Sequence, residues 1–328
     1  MYRFHLRRAL CATIAVLALP WAQAQTPGEG PWPQRPIRWI VPYMAGTAPD
    51  TSARVYAEVI GKQLGQPIIV ENRGGAGGNI GAQMVARAQP DGYTWVSSAG
   101  PMAANMYMYR HPGYDALKDF THVTRTSESD VLLVVDPRLG IRTVADLIAY
   151  AKAHPGKLNY ASGGVGTPSH LGMEMFLKRA GIHATHVPYK GAGESINAVM
   201  GSQVDMAMPI FGVAAPQVEG GRLVALAVAN TQRNSLLPDV PTLAEQGVAG
   251  VTLTSWGGLS VPAGTPPEIV ERMRKAAHQA MQSPLVKETS RTTGSRIAPS
   301  SGEEYVQLFK QEMALTREMM QTLDLEPQ

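Results

Sequence analysis

The chain has a single cysteine, Cys11, among its 328 residues. It lies in the first 24 residues, ahead of a processing signal. The rest of the chain holds no thiol, which excludes disulfides, thiolate metal sites and a cysteine nucleophile. Aromatic residues are scarce, at 6%, which argues against a base-stacking surface for nucleic acid. Charge of either sign is sparse, at 17% of residues. The formal net charge of +3 comes from Arg3, Arg7 and Arg8, because 26 basic and 26 acidic residues remain beyond residue 24. A neutral chain has no electrostatic reason to bind nucleic acid or an anionic membrane. No apolar run reaches the roughly 20 residues of a membrane-spanning helix. Also missing are a G-x-x-x-x-G-K-[ST] phosphate loop and a G-x-S-x-G nucleophile elbow.

What is present begins with an export signal. A basic stretch over 1–8 precedes an apolar run over 9–19. Pro20 breaks that run, and Ala22-Gln23-Ala24 forms an A-x-A cleavage site. This is a secretory signal peptide over 1–24, cleaved after Ala24. The product is expected in the periplasm of a Gram-negative host, without membrane insertion. At 44% hydrophobic residues the chain is ordinary globular material. Its length fits two domains.

Strands and helices alternate along the mature chain. The pattern predicts strands over 38–42, 67–71 and 93–97, with helices over 51–64 and 79–88. That order is the signature of a parallel sheet with crossover helices. A less regular stretch covers 101–130, and then the rhythm restarts. The continuous apolar run over 131–135 reads as a buried parallel strand. Thr143 and Asp146 form a capping box for a helix to about 154. Further strands are expected over 158–161, 185–189, 204–208, 223–229 and 253–261, with helices over 169–180 and 194–200. Thr265-Pro266-Pro267-Glu268 is a helix start with a Thr cap. Ile269, Val270, Met273, Ala276, Ala277 and Ala280 form that helix's apolar stripe. A last helix runs over 303–323, with Ser300 and Glu303 as its capping box.

Two junctions stand out. One is Pro42-Tyr43-Met44-Ala45-Gly46-Thr47-Ala48-Pro49-Asp50. The other is Ser162-Gly163-Gly164-Val165-Gly166-Thr167-Pro168-Ser169-His170. Each leaves the carboxyl end of a strand and enters a helix. Small residues expose backbone N–H groups there, and the helix N-terminus adds partial positive charge. Such a place suits a carboxylate or a phosphate, and ligands of open α/β sheets sit outside the carboxyl strand ends. Each loop alone also fits an ordinary tight turn, with Asp50 or Ser169 merely capping its helix. Gly75, Gly77 and Gly81 imitate a dinucleotide fingerprint, but on the second strand, so a structural turn is favoured. His183 and His186 have H-x-x-H spacing without carboxylates or thiols nearby, so packing is favoured over zinc. Asp205 on a buried strand fits a ligand contact or a loop cap equally. Lys190 is a loop cation positioned to meet an anion. No cofactor or metal is implied.

The stretch 32–92 resembles the substrate-binding proteins of tripartite tricarboxylate transporters, the family also called Bordetella uptake proteins. The matching residues include Pro33-Gln34-Arg35-Pro36-Ile37, Asp50 with Arg54, and Val70-Glu71-Asn72-Arg73-Gly74-Gly75-Ala76-Gly77-Gly78-Asn79-Ile80-Gly81. The likeness continues through Asn159-Tyr160-Ala161-Ser162 to His170-Leu171, Val187-Pro188-Tyr189-Lys190-Gly191 and Trp256-Gly257-Gly258-Leu259. It implies an α/β fold: a two-domain, Venus-flytrap periplasmic binding protein, each domain a mostly parallel sheet flanked by helices. Domain one would be discontinuous, over 32–128 plus 252–328, and domain two would cover 129–251. Hinges would lie near 128–130 and 252–255. The implied function is capture of a small carboxylate in the interdomain cleft and delivery to the membrane subunits of a tripartite transporter. The implied ligand contacts are Tyr43, Ala45, Gly46 and Asp50 in the first loop, and Ser162, Gly166, Thr167 and Ser169 in the second. Ser98 and Asp205 join them by position. The family's first loop usually has paired glycines, whereas Thr47-Ala48-Pro49 follows Gly46 here, which leaves the Thr47 hydroxyl to donate to a ligand instead. A sensor component for a membrane signalling protein is the alternative. An exported enzyme on a similar fold is a remote one, since no nucleophile–base pair or metal site is recognisable.

Overall fold

The computed structural model describes residues 31–165, 167–322 and 325–327, so the expected signal peptide and Gly166 lie outside the described residues. In chain order, β1 (Ile37–Val41), α1 (Ala48–Leu64), β2 (Ile68–Asn72), α2 (Asn79–Ala86), β3 (Thr94–Ala99), α3 (Gly100–Met108) and β4 (Phe120–Asp130) come first. Then follow β5 (Leu132–Val135), α4 (Val144–Ala153), β6 (Asn159–Ser162), α5 (Pro168–Ala180), β7 (Thr185–Pro188), α6 (Ala192–Met200), β8 (Met206–Ala207), α7 (Phe211–Glu219) and β9 (Val224–Val228). The chain closes with β10 (Thr254–Pro262), α8 (Pro267–Ala280), α9 (Pro284–Thr292), β11 (Ser295–Ile297) and α10 (Gly302–Thr322).

Two sheets result, each flanked by helices. The first has the order β11-β4-β10-β3-β1-β2 and the second β7-β6-β8-β5-β9. The chain passes between them twice, at 130–132 and again ahead of β10. The expected parallel pairing holds for β1 with β2 and β3, and for β6 with β7 and β8. Elsewhere the sheets are mixed, not mostly parallel. The long strands β4 and β10 pair antiparallel with each other, and β10 pairs antiparallel with β3. The apolar β5 is antiparallel to both neighbours, contrary to its reading as a parallel strand. Its apolar run reports burial on both faces, which does not fix strand direction. Direction follows from the crossover, which brings the chain into the second sheet from the side of the first.

The stretch over 101–130 is more ordered than the sequence pattern predicts. It contains α3, buried on most sides, so no polar face gives it a stripe. It also contains β4, whose buried Thr124, Thr126 and His122 hide its strand character behind polar residue types. The helices α7 and α9 and the strand β11 were likewise not anticipated. Several caps move by one or two positions. The box of α10 is Ser301 with Glu304, whose side chains exchange hydrogen bonds with each other's backbone N–H. Ser300 instead accepts the Arg125 N–H at 2.9 Å. Thr265 caps nothing, because its hydroxyl donates to Pro262 O at 2.8 Å. The Thr143–Asp146 box forms as read. The apolar stripe of α8 also forms, burying Met273, Ala276, Ala277 and Ala280 against Tyr56 and Ile60 of α1. Burying one such large side chain stabilises by about 1.5–3 kcal/mol. Gly75, Gly77 and Gly81 serve packing: a Cβ on Gly81 would lie 2.7 Å from Arg73 O and 2.9 Å from Pro42 Cβ. Only glycine lets α2 approach the end of β1 that closely.

Candidate ligand-binding cleft

Strand directions decide what the two sheets present to each other. Ala99, at the carboxyl end of β3, pairs with Gly257 near the amino end of β10. That is the crossover side, so the carboxyl ends of β1, β2 and β3 point toward the second sheet. Leu132, at the start of β5, donates its N–H to Pro209 O just beyond β8. The carboxyl ends of β6, β7 and β8 therefore point back toward the first sheet. Helices α1, α2, α3, α5, α6 and α7 begin at these two opposed faces. Five of the six, all but α5, carry no side-chain cap. By contrast α4, α9 and α10 are capped by side chains. Among the helices remote from this face, α8 is the one without such a cap. Each uncapped start holds backbone N–H groups with no intrahelical partner and a partial positive charge. Val165 of the second loop packs against Ala104, Met108 and Met320 of the first lobe.

The first loop is stiff. Gly46 adopts φ +80°, and its N–H donates to Asp50 Oδ2 at 2.8 Å. Asp50 Oδ1 receives Asn72 Nδ2 at 3.0 Å and faces Arg54 at 2.9 Å. Asp50 is 3% exposed. Burial works against its charge, but the Gly46 N–H, Arg54 and Asn72 outweigh it and hold the carboxyl below its usual pKa. Both oxygens are thus bonded within the first loop and its neighbours, where Asp50 holds the loop in shape. Thr47 has an extended backbone, and its hydroxyl donates to Met44 O at 2.7 Å. The hydroxyl expected to reach a ligand is spent inside the loop. Ala45 and Gly46 are exposed and Tyr43 is half-buried. Burial pushes the Tyr43 phenol above its usual pKa.

The second loop is a hydroxyl cluster. Gly164 adopts φ +120°, a conformation open to glycine alone without strain. Ser162 Oγ accepts the Gly164 N–H at 3.1 Å and lies 2.7 Å from His186 Nε2. Ser169 Oγ accepts the Gly163 N–H at 3.1 Å. Thr167 Oγ1 donates to Gly164 O at 2.7 Å and caps α5 by accepting the His170 N–H. The cap of α5 is therefore Thr167, not Ser169. His170 and His186 stack at 4.3 Å, with the Tyr160 ring 4.8 Å from His186. Ser162 and His186 have the distance of a nucleophile and its base, but Ser162 is wholly buried and its hydroxyl is enclosed by its own loop.

Two other expected contacts have their polar atoms bonded within one lobe. Ser98 is 1% exposed. Its hydroxyl bonds Tyr305 at 3.0 Å and Ser260 at 2.7 Å, inside the first lobe. Asp205 sits at the amino end of β8, beside the start of β6, where its carboxylate accepts the Asn159 N–H at 2.8 Å. That is the end of the sheet away from the loops, where Asp205 bonds the start of β6. Sequence reasoning set His186 aside as packing, and only the pairing of β7 with β6 brings it to Ser162. His183 does not join it. Among the described residues no group of three or more His, Asp, Glu or Cys side chains is placed to hold a metal.

Two α/β lobes joined by two crossings, with opposed helix N-termini between them, define a periplasmic binding protein. The sequence profile of the tripartite tricarboxylate transporter family receptor matches residues 52–325. The chain belongs to that family. It is 37% identical to a Cupriavidus necator protein encoded in the gbd 5′ region, over 98% of this chain and 97% of that one. It is 33% identical to BugT of Bordetella pertussis, over 87% and 88%. Among solved structures, periplasmic binding protein BugD matches with TM-score 0.82 and 30% identity, over 90% and 100% of the two chains. Rpa4515 of R. palustris with adipate matches with TM-score 0.85 and 32% identity, over 91% and 100%. MatC of Rhodopseudomonas palustris with bound malate matches with TM-score 0.80 and 30% identity, over 88% and 99%. Among the described residues no helix is long and apolar enough to cross a membrane.

Proposed function

We propose that this chain is an exported receptor that closes on a small dicarboxylate and presents it to the membrane subunits of a tripartite transporter. The observation that carries the reading is the pair of opposed faces, each built from helix N-termini, five of them without side-chain caps. Helix starts without side-chain caps, with their dipoles on both sides, would stabilise an anion without a bound cation. The relatives that hold adipate and malate support the choice of a diacid. One carboxylate would rest on the backbone of Ala45 and Gly46 beside Tyr43, the other on the loop of Ser162, Thr167 and Ser169. Asp50 and Ser98 stiffen the walls. The lobes would divide at 128–130 and 252–255, giving a discontinuous first domain over 32–128 and 252–328. Cleavage after Ala24 would release the receptor to the periplasm.

The test is calorimetric titration of the refolded mature protein with malate, adipate, succinate, citrate and glutamate. One-to-one binding by a diacid, lost in the double variant Ser162→Ala with Thr167→Ala, is expected. Absence of binding by every acid in the panel, from a protein with intact secondary structure, overturns the reading.

A further inference from the structure

His186 stands on β7, an edge strand of the second sheet, and its Nε2 lies 2.7 Å from Ser162 Oγ. Its ring stacks on His170 of α5 at 4.3 Å and on Tyr160 of β6 at 4.8 Å. The Tyr160 phenol in turn donates to Glu174 of α5. On the α6 side the charged groups are Lys190 and Glu194, both exposed, with Glu194 accepting the Lys190 N–H at 3.2 Å.

Ser162 Oγ has one hydrogen and three neighbours within bonding distance. They are His186 Nε2, the Gly164 N–H at 3.1 Å and Gly164 O at 3.1 Å. Gly164 O already receives the Thr167 hydroxyl at 2.7 Å and the Thr167 N–H at 3.3 Å. While Nε2 is an unprotonated acceptor, the serine hydrogen therefore goes to His186. In the imidazolium both ring nitrogens carry protons, so the histidine donates from Nε2 and Ser162 must turn its hydrogen to Gly164 O; the neutral Nε2–H tautomer gives the same hydroxyl direction without the charge. The full charge beside this hydroxyl is what distinguishes the protonated state of the loop from the neutral ones.

We propose that His186 is a positioning residue that couples carboxylate binding at the second loop to uptake of a proton. The proposal rests on the dicarboxylate-receptor reading. A seated anion favours the protonated imidazole, and by reciprocity the protonated imidazole favours the anion. The stacked rings limit the pair to one proton, because two imidazolium groups in contact repel. In the empty protein burial lowers both histidines, and the neighbouring His186 lowers His170 further, to about 4. The pair is then uncharged at neutral pH and takes its proton as the ligand arrives. Affinity rises as pH falls through the ligand-bound pKa of His186 and levels off below the ligand-free one.

The experiment is calorimetric titration with malate at pH 8, 7 and 6, in buffers of different ionisation enthalpy. Malate stays almost fully ionised over that range. Each unit by which the ligand raises the histidine pKa allows up to about a tenfold gain in affinity. We expect a gain of about three- to tenfold between pH 8 and 6, with buffer-dependent heat reporting fractional proton uptake. H186Q, which keeps a hydrogen-bonding group without titrating, should lose the pH dependence and the buffer-dependent heat. H186N serves as a second variant should H186Q fold poorly. Binding by wild-type protein with a flat pH profile and no buffer-dependent heat overturns the proposal and leaves the receptor reading standing. A pH profile shared by wild type and the variants also overturns it. Failure of both malate and adipate to bind at any of these pH values overturns the receptor reading and this proposal together.

Discussion

Asp130 offers the sharpest test of how the two lobes are fastened. It ends β4, where the chain leaves the first sheet, and is 1% exposed. Its carboxylate takes four donors. Arg296 Nη1 and Nη2 each lie at 2.8 Å, and Asn230 and Asn234 each approach at 2.7 Å. Arg296 belongs to β11 of the first sheet, while Asn230 and Asn234 follow β9 of the second. Burial opposes the charge, and the bonds from Arg296, Asn234 and Asn230 overcome it, so the carboxyl lies below its usual pKa. Asp130→Asn keeps the shape, removes the charge and points an amide N–H2 at two of the four donors. Removing one partner of a buried ion pair costs about 3–5 kcal/mol. Arg296 is partly exposed and keeps Glu128 at 3.1 Å, which places the loss near the lower bound, at about 3 kcal/mol. Urea unfolding at pH 7 measures it. The sign of the pH dependence follows from the lowered pKa. The wild-type advantage is fully present above the unfolded carboxyl value of about 4 and disappears as pH falls through the folded value. A loss below about 1 kcal/mol at pH 7, or a gap between the two proteins unchanged down to pH 3, refutes the assignment.

Three further outcomes follow from the packing. His122 is 4% exposed, stacked on Phe309 at 3.9 Å, and burial holds its pKa near 4. The unfolded chain takes up that proton first, so stability should fall by about 3 kcal/mol as pH drops from about 6.5 to 4; denaturant midpoints of wild type and His122→Gln as a function of pH should show a shallower slope in the variant. Gly212 of α7 meets the first lobe so closely that a Cβ would lie 2.0 Å from Thr293 O. Gly212→Ala should push the lobes apart, seen as a larger radius of gyration in small-angle scattering and as weaker diacid binding; an unchanged radius together with unchanged affinity counts against this contact. Gly81→Ala should destabilise by about 1–3 kcal/mol through overpacking against Arg73 and Pro42, and a neutral result in thermal unfolding would show that α2 can move away from β1.

The legible part of this protein was local. A βα rhythm, small-residue loops at the ends of strands, the Thr143–Asp146 box and the stripe of α8 all depend on neighbours within a few turns, and short-range pattern encodes them directly. The two loops were visible for the same reason, since glycine and hydroxyl residues ahead of a helix are a local signal. Strand direction was not visible: the apolar run at β5 reports burial on both faces, and antiparallel pairing there is set by how the chain crosses between sheets. The partners of single polar residues were hidden for the same reason. Ser98 and Asp205 have the chemistry of ligand contacts, but Ser98 turns toward Tyr305 and Ser260, and Asp205 lies at the amino edge of its sheet. His186 shows the converse. Its H-x-x-H spacing with His183 points nowhere near Ser162, and only the pairing of β7 beside β6 brings its ring there. Sequence by itself determined the elements and the chemistry available at their junctions, because those follow from neighbouring side chains. The tertiary structure alone decided which junctions face one another and which polar groups are already bonded there, because both depend on contacts between residues distant in the chain.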